Sequence, residues 1–345
     1  MVDIDYIIVG GGIAGLSLCE QLRQRDKSFL LFDTGELTAT AVAGGVVNPI
    51  VVKRLNPVWR AREFITYARP FYEEMSQASA ADFVQDLDLA RPFAEVSEQN
   101  NWMTASDRPD LEEFVDGRLM SNENAAIKAD HGLGKVKGCF RLDPPTLMQG
   151  YRQWLNEQGR LRKESFDYQR LKQRATKWQY EDLLTSRVIF AEGAQGVDNP
   201  FFKSDSLIPK KGEYLIVEAP GLNLEMMLKG RFFVIPLGRD RYQVGATFAH
   251  GDVSLLATQK GREQMEDFLK HFLKVDFKVV DQLVGLRPTV RDRRPLIGAH
   301  PKLDGLAFFN GMGTRGLLMA PLLSQWMIDH LEEGLELPEE ISLMR

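Results

Sequence analysis

The stretch DIDYIIVGGGIAGLSLCE, residues 3–20, decides the fold of this chain. The apolar run 4–9 predicts a short strand, and the apolar positions of 13–25 recur at helical spacing. The glycines between them stand in the register G-x-G-x-x-G: Gly10, Gly12 and Gly15. In that register the first glycine allows a tight turn, the second lets a ligand approach the backbone, and the third lets helix and strand pack closely.

A second apolar strand, Ser28–Asp33, follows the predicted helix and ends in an acid. A carboxylate about 20 residues beyond the glycines accepts the hydroxyl hydrogens of an adenosine ribose and repels a phosphorylated one. The N-terminus of the helix favours a pyrophosphate, because its N–H groups are unpaired and its dipole end is positive. A glycine-rich turn in an ordinary parallel sheet would leave Asp33 without a role. We therefore predict a Rossmann-type α/β domain that binds a dinucleotide.

Composition limits the class of protein. With 345 residues, 44% of them hydrophobic, the chain is long enough for two domains with a substantial core. The net charge of −5 gives no support for a nucleic-acid or anionic-membrane partner, so a nucleic acid is disfavoured but not excluded. Cys19 and Cys139 form no C-x-x-C pair, which predicts reduced thiols, a cytoplasmic location and no metal site. No apolar run reaches the ~20 residues that span a bilayer.

The middle of the chain alternates between helical and strand patterns. Residues 34–49 are small and almost uncharged, so this segment can approach a flat ligand. A helix is predicted over 57–79 with a kink at Pro70, and a change of domain near Ala80. Strand-like runs follow over 83–104, interrupted by a polar connection at 95–101. Asp143 and Pro144 predict the start of a helix that continues to about Gln158.

The second half of the chain predicts a return to the first sheet and then a second domain. Residues 187–194 have the pattern of a buried parallel strand. Three strands separated by turns then predict a mostly antiparallel sheet: 214–218, 231–236 and 242–248. Residues 259–274 have the spacing of an amphipathic helix. The closing segment NGMGTRGLLMAP, 310–321, is a glycine-rich loop that opens a long apolar helix.

Taken together, these motifs resemble the flavin-dependent amine and amino-acid oxidases, the family of D-amino-acid oxidase and glycine oxidase. The resemblance covers nearly the whole chain and rests on an ordered set: GGGIAG, TAVAGGVVNP, LDPP before a helix, VIFAEGA, VGAT, GLRP with RD..P.IG, and NGMGTRGLLMAP. The segments AGGVVNP and NGMGTRGLLMAP are closer still to the oxidase half of the bifunctional enzyme that modifies the tRNA wobble uridine. The methyltransferase half of that enzyme has no counterpart in these residues.

The resemblance implies noncovalent FAD and an interleaved architecture. Relatives that tether the flavin use a cysteine or histidine near its ring, and neither Cys19 nor Cys139 matches such a position. The FAD-binding domain would comprise 1–80, 140–212 and 284–345. A smaller α+β substrate domain with a mostly antiparallel sheet would comprise 81–139 and 213–283.

The resemblance and the glycine motif together assign the cofactor-binding residues. Segment 40–47 would line the region from the pyrophosphate to the ring, and 313–317 would face the pyrimidine edge of the flavin. The full set is Gly10, Gly12, Ile13, Ala14, Gly15, Asp33, Thr40, Ala41, Gly44, Gly45, Val46, Val47, Gly193, Gly285, Gly313, Thr314, Arg315, Gly316 and Leu317.

Two arginines are the candidate catalytic residues. Arg287 matches the carboxylate-binding arginine of the family, and its planar donor fork suits a carboxylate; the alternative is a structural ion pair within 291–294. Arg315 lies one position after the loop arginine of glycine oxidase, which aligns with Thr314, so its orientation stays open. Phe233 replaces a tyrosine that holds the substrate in glycine oxidase, which makes glycine itself doubtful as substrate.

The implied chemistry is hydride transfer from the carbon bearing an amine to flavin N5, followed by hydrolysis of the imine. Electrons would pass to oxygen or another acceptor. We favour a free amino acid or small secondary amine as substrate over a carboxymethylaminomethyl-modified tRNA base. Two other classes stay open at this stage: an NAD-dependent dehydrogenase, which would not require the second glycine-rich loop, and a protein that binds FAD as a structural or sensing element.

Overall fold

The computed structural model describes residues 1–36, 38–202, 206–249, 251–343 and 345. Within these ranges the α-helices are α1 (Ile13–Gln24), α2 (Ala61–Ser79), α3 (Val96–Ser106), α4 (Pro144–Glu157), α5 (Gln259–Phe272) and α6 (Gly316–Glu333). Short 3₁₀ helices cover Tyr168–Arg170, Gly193–Asp198 and Glu339–Ile341. No described helix combines the length and the hydropathy that crossing a membrane requires.

The strands in the same ranges are β1 (Val2–Val9), β2 (Phe29–Phe32), β3 (Val46–Val47), β4 (Ile50–Val51), β5 (Asn56–Pro57), β6 (Val84–Gln85), β7 (Leu89–Pro92), β8 (Val115–Met120), β9 (Leu133–Val136), β10 (Phe140–Leu142), β11 (Leu161–Arg162), β12 (Leu171–Arg174), β13 (Lys177–Tyr180), β14 (Leu183–Phe190), β15 (Leu207–Glu218), β16 (Met227–Lys229), β17 (Phe233–Gly238), β18 (Arg241–Gly245), β19 (Lys278–Val290), β20 (Leu296–Ala299) and β21 (Leu306–Asn310).

The first large sheet has a parallel centre. Strands β11, β2, β1, β14 and β21 are parallel neighbours, while β12, β13 and β20 join by antiparallel pairing. Val9 lies opposite Phe32 of β2 and Phe190 of β14, so these strands end at one edge of the sheet. Ligands of open α/β sheets bind outside this carboxyl edge. The predicted strands over 4–9, 28–33 and 187–194 are confirmed as β1, β2 and the end of β14.

The turn between β1 and α1 leaves no room for side chains. Gly10 has a φ of 102°, which strains any other residue. A Cβ on Gly15 would lie 1.9 Å from the carbonyl oxygen of Gly10, so helix and strand are in backbone contact there. At Gly12 a Cβ would meet only the Thr40 hydroxyl oxygen, at 3.7 Å. The first and third glycines are therefore required by the fold itself, whereas the second leaves space outside the helix terminus.

The second large sheet is almost entirely antiparallel. Its strand order is β19-β15-β18-β17-β16-β7-β9-β8, with one parallel pair, β16 and β7. This sheet confirms the predicted strands within 214–218, 231–236 and 242–248. Helix α5 packs on it through Met265, Leu269 and Phe272, as its spacing predicted. The predicted domain boundaries, including the change near Ala80, stay a prediction.

The glycine-rich segment after β2 joins the two sheets. The Gln243 side-chain amide on β18 donates to the Val42 carbonyl oxygen over 2.9 Å. A Cβ on Gly44 would lie 2.4 Å from the Ile235 side chain, and one on Gly285 would lie 2.5 Å from that of Val42. Because these glycines let the segment lie directly on the second sheet, the two sheets face each other across it.

One predicted connection is wrong. Residues 95–101 do not form a polar loop, because α3 begins at Val96. The Glu98 carboxylate accepts from the Ala94 backbone N–H over 2.8 Å, which stabilises the start of the helix. Trp102 is fully buried and donates to the Asp116 carbonyl oxygen over 2.9 Å, which fixes the helix against β8. A single buried aromatic among polar residues gives too weak a period to predict a helix.

The other helix predictions are confirmed in outline. Helix α2 begins four residues later than predicted, at Ala61, and contains Pro70. Helix α4 begins at Pro144 after Asp143, whose side chain accepts from the Thr146 backbone N–H. Helix α6 begins directly after the glycine-rich closing loop and packs against α1 and α2.

We predict that Gly15→Ala destabilises the ligand-free protein and that Gly12→Ala does not, because Gly15 is required by the fold and Gly12 by the ligand. The new methyl of Gly15→Ala overlaps the Gly10 carbonyl, so the melting temperature of the ligand-free protein should fall. Gly12→Ala should leave that melting temperature within about 2 °C of wild type, because its methyl meets only ordinary contacts. Thermal unfolding of both variants without ligand tests this. Equal melting temperatures for the two variants would contradict the assignment.

Candidate active site

A cavity of about 750 Å³ lies between the two sheets, at the carboxyl edge of the parallel strands. Most of the predicted site residues line it: Gly10, Gly12, Ile13, Ala14, Asp33, Thr40, Gly44, Gly45, Val46, Gly193, Gly285, Arg287, Gly313, Thr314, Arg315, Gly316 and Leu317. Three predicted residues do not line it: Gly15, which contacts Gly10; Ala41; and Val47, which is fully buried opposite Phe140. One cavity thus gathers segments from the beginning, middle and end of the chain.

At one end of the cavity Asp33 forms an ion pair with Arg152. The Asp33 carboxylate, 8% exposed, has its Oδ2 atom 2.7 Å from Nε of Arg152 on α4. Neither atom has an aligned hydrogen bond, so the contact is purely ionic. Arg152 also donates from Nη2 to the Gly11 carbonyl oxygen over 2.9 Å, and burial lowers its pKa. Asp33 thus lines the cavity with a carboxylate that is paired with a cation but not saturated by hydrogen bonds.

Gly11 is required at this end for a reason that the motif did not predict. A Cβ there would lie 2.3 Å from Oδ2 of Asp33. The carboxylate is therefore held directly against the backbone of the glycine turn.

Two helix N-termini face the same cavity. Ile13 and Ala14 of α1 and Gly316 and Leu317 of α6 belong to its lining. The start of α6 is fixed by the buried Tyr72 hydroxyl, which donates to the Leu317 carbonyl oxygen over 2.8 Å. Both termini present the positive ends of helix dipoles, so the cavity favours negative charge at two places.

Arg287 lies on β19, on the face of the second sheet that borders the cavity. Its guanidinium donates to the carbonyl oxygens of Lys211 and Thr247 over 3.3–3.4 Å, and lies 5.7 Å from the ring centroid of Phe248. A Cβ on Gly212 would be 2.0 Å from its Nη2 atom, so the guanidinium rests on the bare backbone of β15. No carboxylate of the described residues forms an ion pair with it.

Arg315 lines the cavity but is held differently. Its Nη1 atom donates to the Asn48 backbone and side-chain oxygens over 3.2 Å, and Nη2 donates to the Ile50 carbonyl oxygen over 3.0 Å. Burial lowers the pKa of this guanidinium to about 10. Thr314, the position of the loop arginine in glycine oxidase, also lines the cavity but is exposed. Arg315 is therefore a half-buried cation whose hydrogen bonds in the described structure go only to neutral oxygens.

Several cavity residues were missed by sequence reasoning, chiefly Lys229 on β16, Tyr214 on β15 and Lys53. Lys229 and Tyr214 share a face of the second sheet because β16, β17, β18 and β15 are neighbours. That order depends on tertiary pairing, and neither residue stands in a local motif. Arg152 was also missed, since nothing in the sequence of α4 distinguishes it from a solvated arginine.

The geometry is that of a dinucleotide-binding protein. A glycine turn without side chains, the carboxylate of Asp33 beside it and two helix N-termini all border one cavity. The family model described as "DAO: FAD dependent oxidoreductase" matches residues 5–330, and the chain belongs to that family. It is an FAD-dependent oxidoreductase, and the predicted cofactor and family are confirmed.

Individual relatives are distant but span the chain. Glycine oxidase of Bacillus licheniformis is 25% identical over 94% of this chain and 92% of its own length. The tRNA 5-methylaminomethyl-2-thiouridine biosynthesis bifunctional protein MnmC of Marinobacter nauticus is 21% identical over 94% of this chain, which spans only 55% of that protein. The crystal structure of glycine oxidase from Geobacillus kaustophilus superposes with a TM-score of 0.79 at 20% identity, covering 100% of this chain and 99% of that one. The predicted fold is confirmed.

The residues present fit an FAD molecule. Asp33 would accept from ribose hydroxyls, Gly12 leaves space that a pyrophosphate would need, and the N-terminus of α6 is a second positive dipole end. When bound, FAD supplies the oxidant of the reaction, a two-electron acceptor of hydride. The assignment of individual residues to parts of the cofactor stays a prediction.

We predict that Asp33→Ala weakens FAD binding by about 1.5–3 kcal/mol, roughly ten- to hundredfold, because it removes charged hydrogen bonds. Titration of apoprotein with FAD measures this. The ion pair with Arg152 provides the control: if Asp33 served only to balance that arginine, Arg152→Met in the Asp33→Ala background would restore FAD affinity. Unchanged affinity in Asp33→Ala itself would also contradict the ribose role.

We predict that FAD is held without a covalent bond. Cys19 is fully buried in α1, and neither Cys19 nor Cys139 lines the cavity. Burial raises the pKa of both thiols, which disfavours the thiolate that would form such a bond. Acid precipitation should release all yellow colour into the supernatant. Flavin absorbance that stays with the denatured polypeptide would contradict this.

Proposed function

We propose that this enzyme oxidises the C–N bond of a small amino acid or secondary amine that carries a carboxylate. The observation that supports the proposal is the environment of Arg287. Its guanidinium borders the cavity, donates only to two backbone carbonyls, and has no carboxylate partner among the described residues. A cation in such a position favours an anionic ligand, and a planar donor fork favours a carboxylate.

The reaction follows from this binding mode. Arg287 binds the carboxylate and thereby orients the neighbouring carbon, which bears the amine. That carbon loses a hydride to the bound FAD and the nitrogen loses a proton, so an imine forms. Water adds to the imine carbon and the C–N bond breaks, which yields a 2-oxo acid together with ammonia from an amino acid or a primary amine from a secondary amine. Oxygen or another acceptor takes the two electrons from the reduced cofactor.

The walls around this position support an aliphatic substrate. Tyr214, Phe233, Ile235 and Phe248 also line the cavity, and the ring centroid of Phe248 lies 5.7 Å from the Arg287 guanidinium. Apolar walls favour the aliphatic part of a ligand, and an ionic contact is stronger where a bound ligand displaces water. Phe233 offers no hydroxyl, so the carboxylate depends on Arg287 more than it would beside a tyrosine.

A carboxymethylaminomethyl base of tRNA carries the same amine and carboxylate, so Arg287 does not discriminate against it. The net charge of −5 supports the smaller substrate, because binding of tRNA requires Lys and Arg to meet its phosphates. An anaerobic screen of amines and amino acids for bleaching of the flavin tests the proposal. Bleaching by undermodified tRNA but by no free amine would overturn it.

We predict that Arg287→Met weakens binding of carboxylates by about 2 kcal/mol or more, at least roughly 30-fold, while FAD stays bound. Gly212→Ala should also weaken binding of carboxylates, by a smaller factor, because its methyl group would occupy the place of the guanidinium. Perturbation of the flavin spectrum by methoxyacetate measures both.

Arg241→Met is the matched control, since Arg241 is an exposed arginine on the neighbouring strand β18. It should bind methoxyacetate as wild type does. The carboxylate role of Arg287 is refuted if Arg287→Met and Arg241→Met give the same titration.

A further inference from the structure

Lys229 is a cation in the cavity that the proposed reaction does not use. It is half-buried at the end of β16 and belongs to the cavity lining. Its ammonium donates to the Arg231 carbonyl oxygen over 3.1 Å and lies 4.6 Å from the ring centroid of Phe233. No carboxylate of the described residues forms an ion pair with it. Two of its three N–H bonds therefore have no partner in the described structure.

The surroundings of Lys229 are positive. Burial first, and then the nearby Lys53, Arg91 and Arg315, lower the pKa of its ammonium to about 8. Arg91 is neutralised by Glu98, but Arg315 donates only to neutral oxygens. Lys53 is exposed and also lines the cavity. A cluster of cations without an acid is costly when it is partly buried, unless an anion from outside completes it.

Lys229 and Arg287 lie on the same face of the second sheet, on strands that are not neighbours. In the strand register Lys229 lies opposite Phe233, Phe233 opposite Gly245, and Gly245 opposite Tyr214. These four residues form a row across β16, β17, β18 and β15. Arg287 is on β19, the strand on the other side of β15. On β19 the residue of this row is Leu283, and Arg287 lies four residues further along that strand. The backbones that carry the two cations are therefore separated by four strand spacings of about 4.8 Å across the sheet and by about 13 Å along the strands, and both long side chains line the cavity.

We propose that Lys229, supported by Arg315, forms a second anion subsite, and that the substrate is an amine with two carboxylates. This inference rests on the proposed function. One carboxylate would bind Arg287 beside the reacting carbon, and the other, on the second substituent of the nitrogen, would bind Lys229. Oxidation then proceeds as above: the carbon next to the Arg287-bound carboxylate loses hydride, and hydrolysis yields a 2-oxo acid and an amino acid that retains the second carboxylate.

The proposal is consistent with the apolar position between the cations. Phe233 separates the two subsites and offers no hydrogen bond, so it suits the methylene groups that join two carboxylates. An anion at Lys229 would also raise the lowered pKa of the ammonium toward its ordinary value. The charge cluster would then be neutralised only in the complex with substrate.

The test uses inert ethers in which oxygen replaces the amine nitrogen. Oxydiacetate, 3-(carboxymethoxy)propanoate and 4-(carboxymethoxy)butanoate each carry two carboxylates, and methoxyacetate carries one. Their dissociation constants are measured on the FAD-loaded enzyme by perturbation of the flavin spectrum, which requires no turnover. We expect at least one dicarboxylate to bind tenfold or more tightly than methoxyacetate. Lys229→Met should remove that advantage and change methoxyacetate binding less than threefold.

Lys260→Met is the matched control, since Lys260 is an exposed lysine on α5. It should retain the advantage of the dicarboxylate. The second subsite is overturned if no dicarboxylate binds better than methoxyacetate, or if Lys229→Met weakens both ligands equally. Failure of the proposed function has a different signature: no amine bleaches the flavin anaerobically, whatever the binding of the ethers.

Discussion

The backbone contact between Gly10 and Gly15 is the constraint on which the site depends. With only 1.9 Å between the place of a Gly15 Cβ and the Gly10 carbonyl oxygen, α1 lies as close to β1 as two backbones can. This contact aims the N-terminus of α1 along the carboxyl edge of the parallel strands. Asp33 ends the next strand of that edge and is pressed against Gly11. One turn thus fixes both Asp33 and the N-terminus of α1, the two features that are predicted to bind the ribose and the pyrophosphate.

The same principle, glycine where two parts of the chain meet, fixes the rest of the cavity. Gly44 and Gly285 let the segment after β2 lie on the second sheet, and Gly212 lets Arg287 lie flat on β15. At each position the absence of a side chain allows two parts of the chain to approach each other. At each of these positions a bare backbone meets a side chain from another element, with no room for a further carbon atom.

Electrostatics divide the cavity into two ends. Arg152 accompanies the Asp33 carboxylate at the first end, so charge is balanced within the protein. At the second end Arg287, Arg315 and Lys229 form no ion pair with a described carboxylate, although the chain as a whole has a net charge of −5. Removing three cations from water without acids is unfavourable for folding alone. The imbalance is understandable if a ligand brings the negative charge, which is why both proposals concern carboxylates.

Local sequence predicted elements wherever local physics decides them. The glycine register, the apolar runs of β1 and β14, and the Asp143 cap with Pro144 each determine their own structure through short-range sterics and hydrogen bonds. The prediction failed at 95–101, where helix α3 depends on the burial of Trp102 against a distant strand. Similarly, Ala41 and Val47 were assigned to the site by their position in a motif, yet Val47 faces Phe140 and Ala41 lies away from the cavity wall.

The sequence by itself determined the glycine turn, the acid that follows β2, the resemblance to the family and the presence of Arg287, because each of these depends on contiguous residues. Only the tertiary structure decided that Arg287 and Lys229 line the same cavity. They stand 58 positions apart on β19 and β16, two strands of one sheet that have β15, β18 and β17 between them. It also decided that Arg152 faces Asp33 and that Arg315 meets no carboxylate of the described residues. Charge compensation is a property of positions in space, and no local pattern of residues records it.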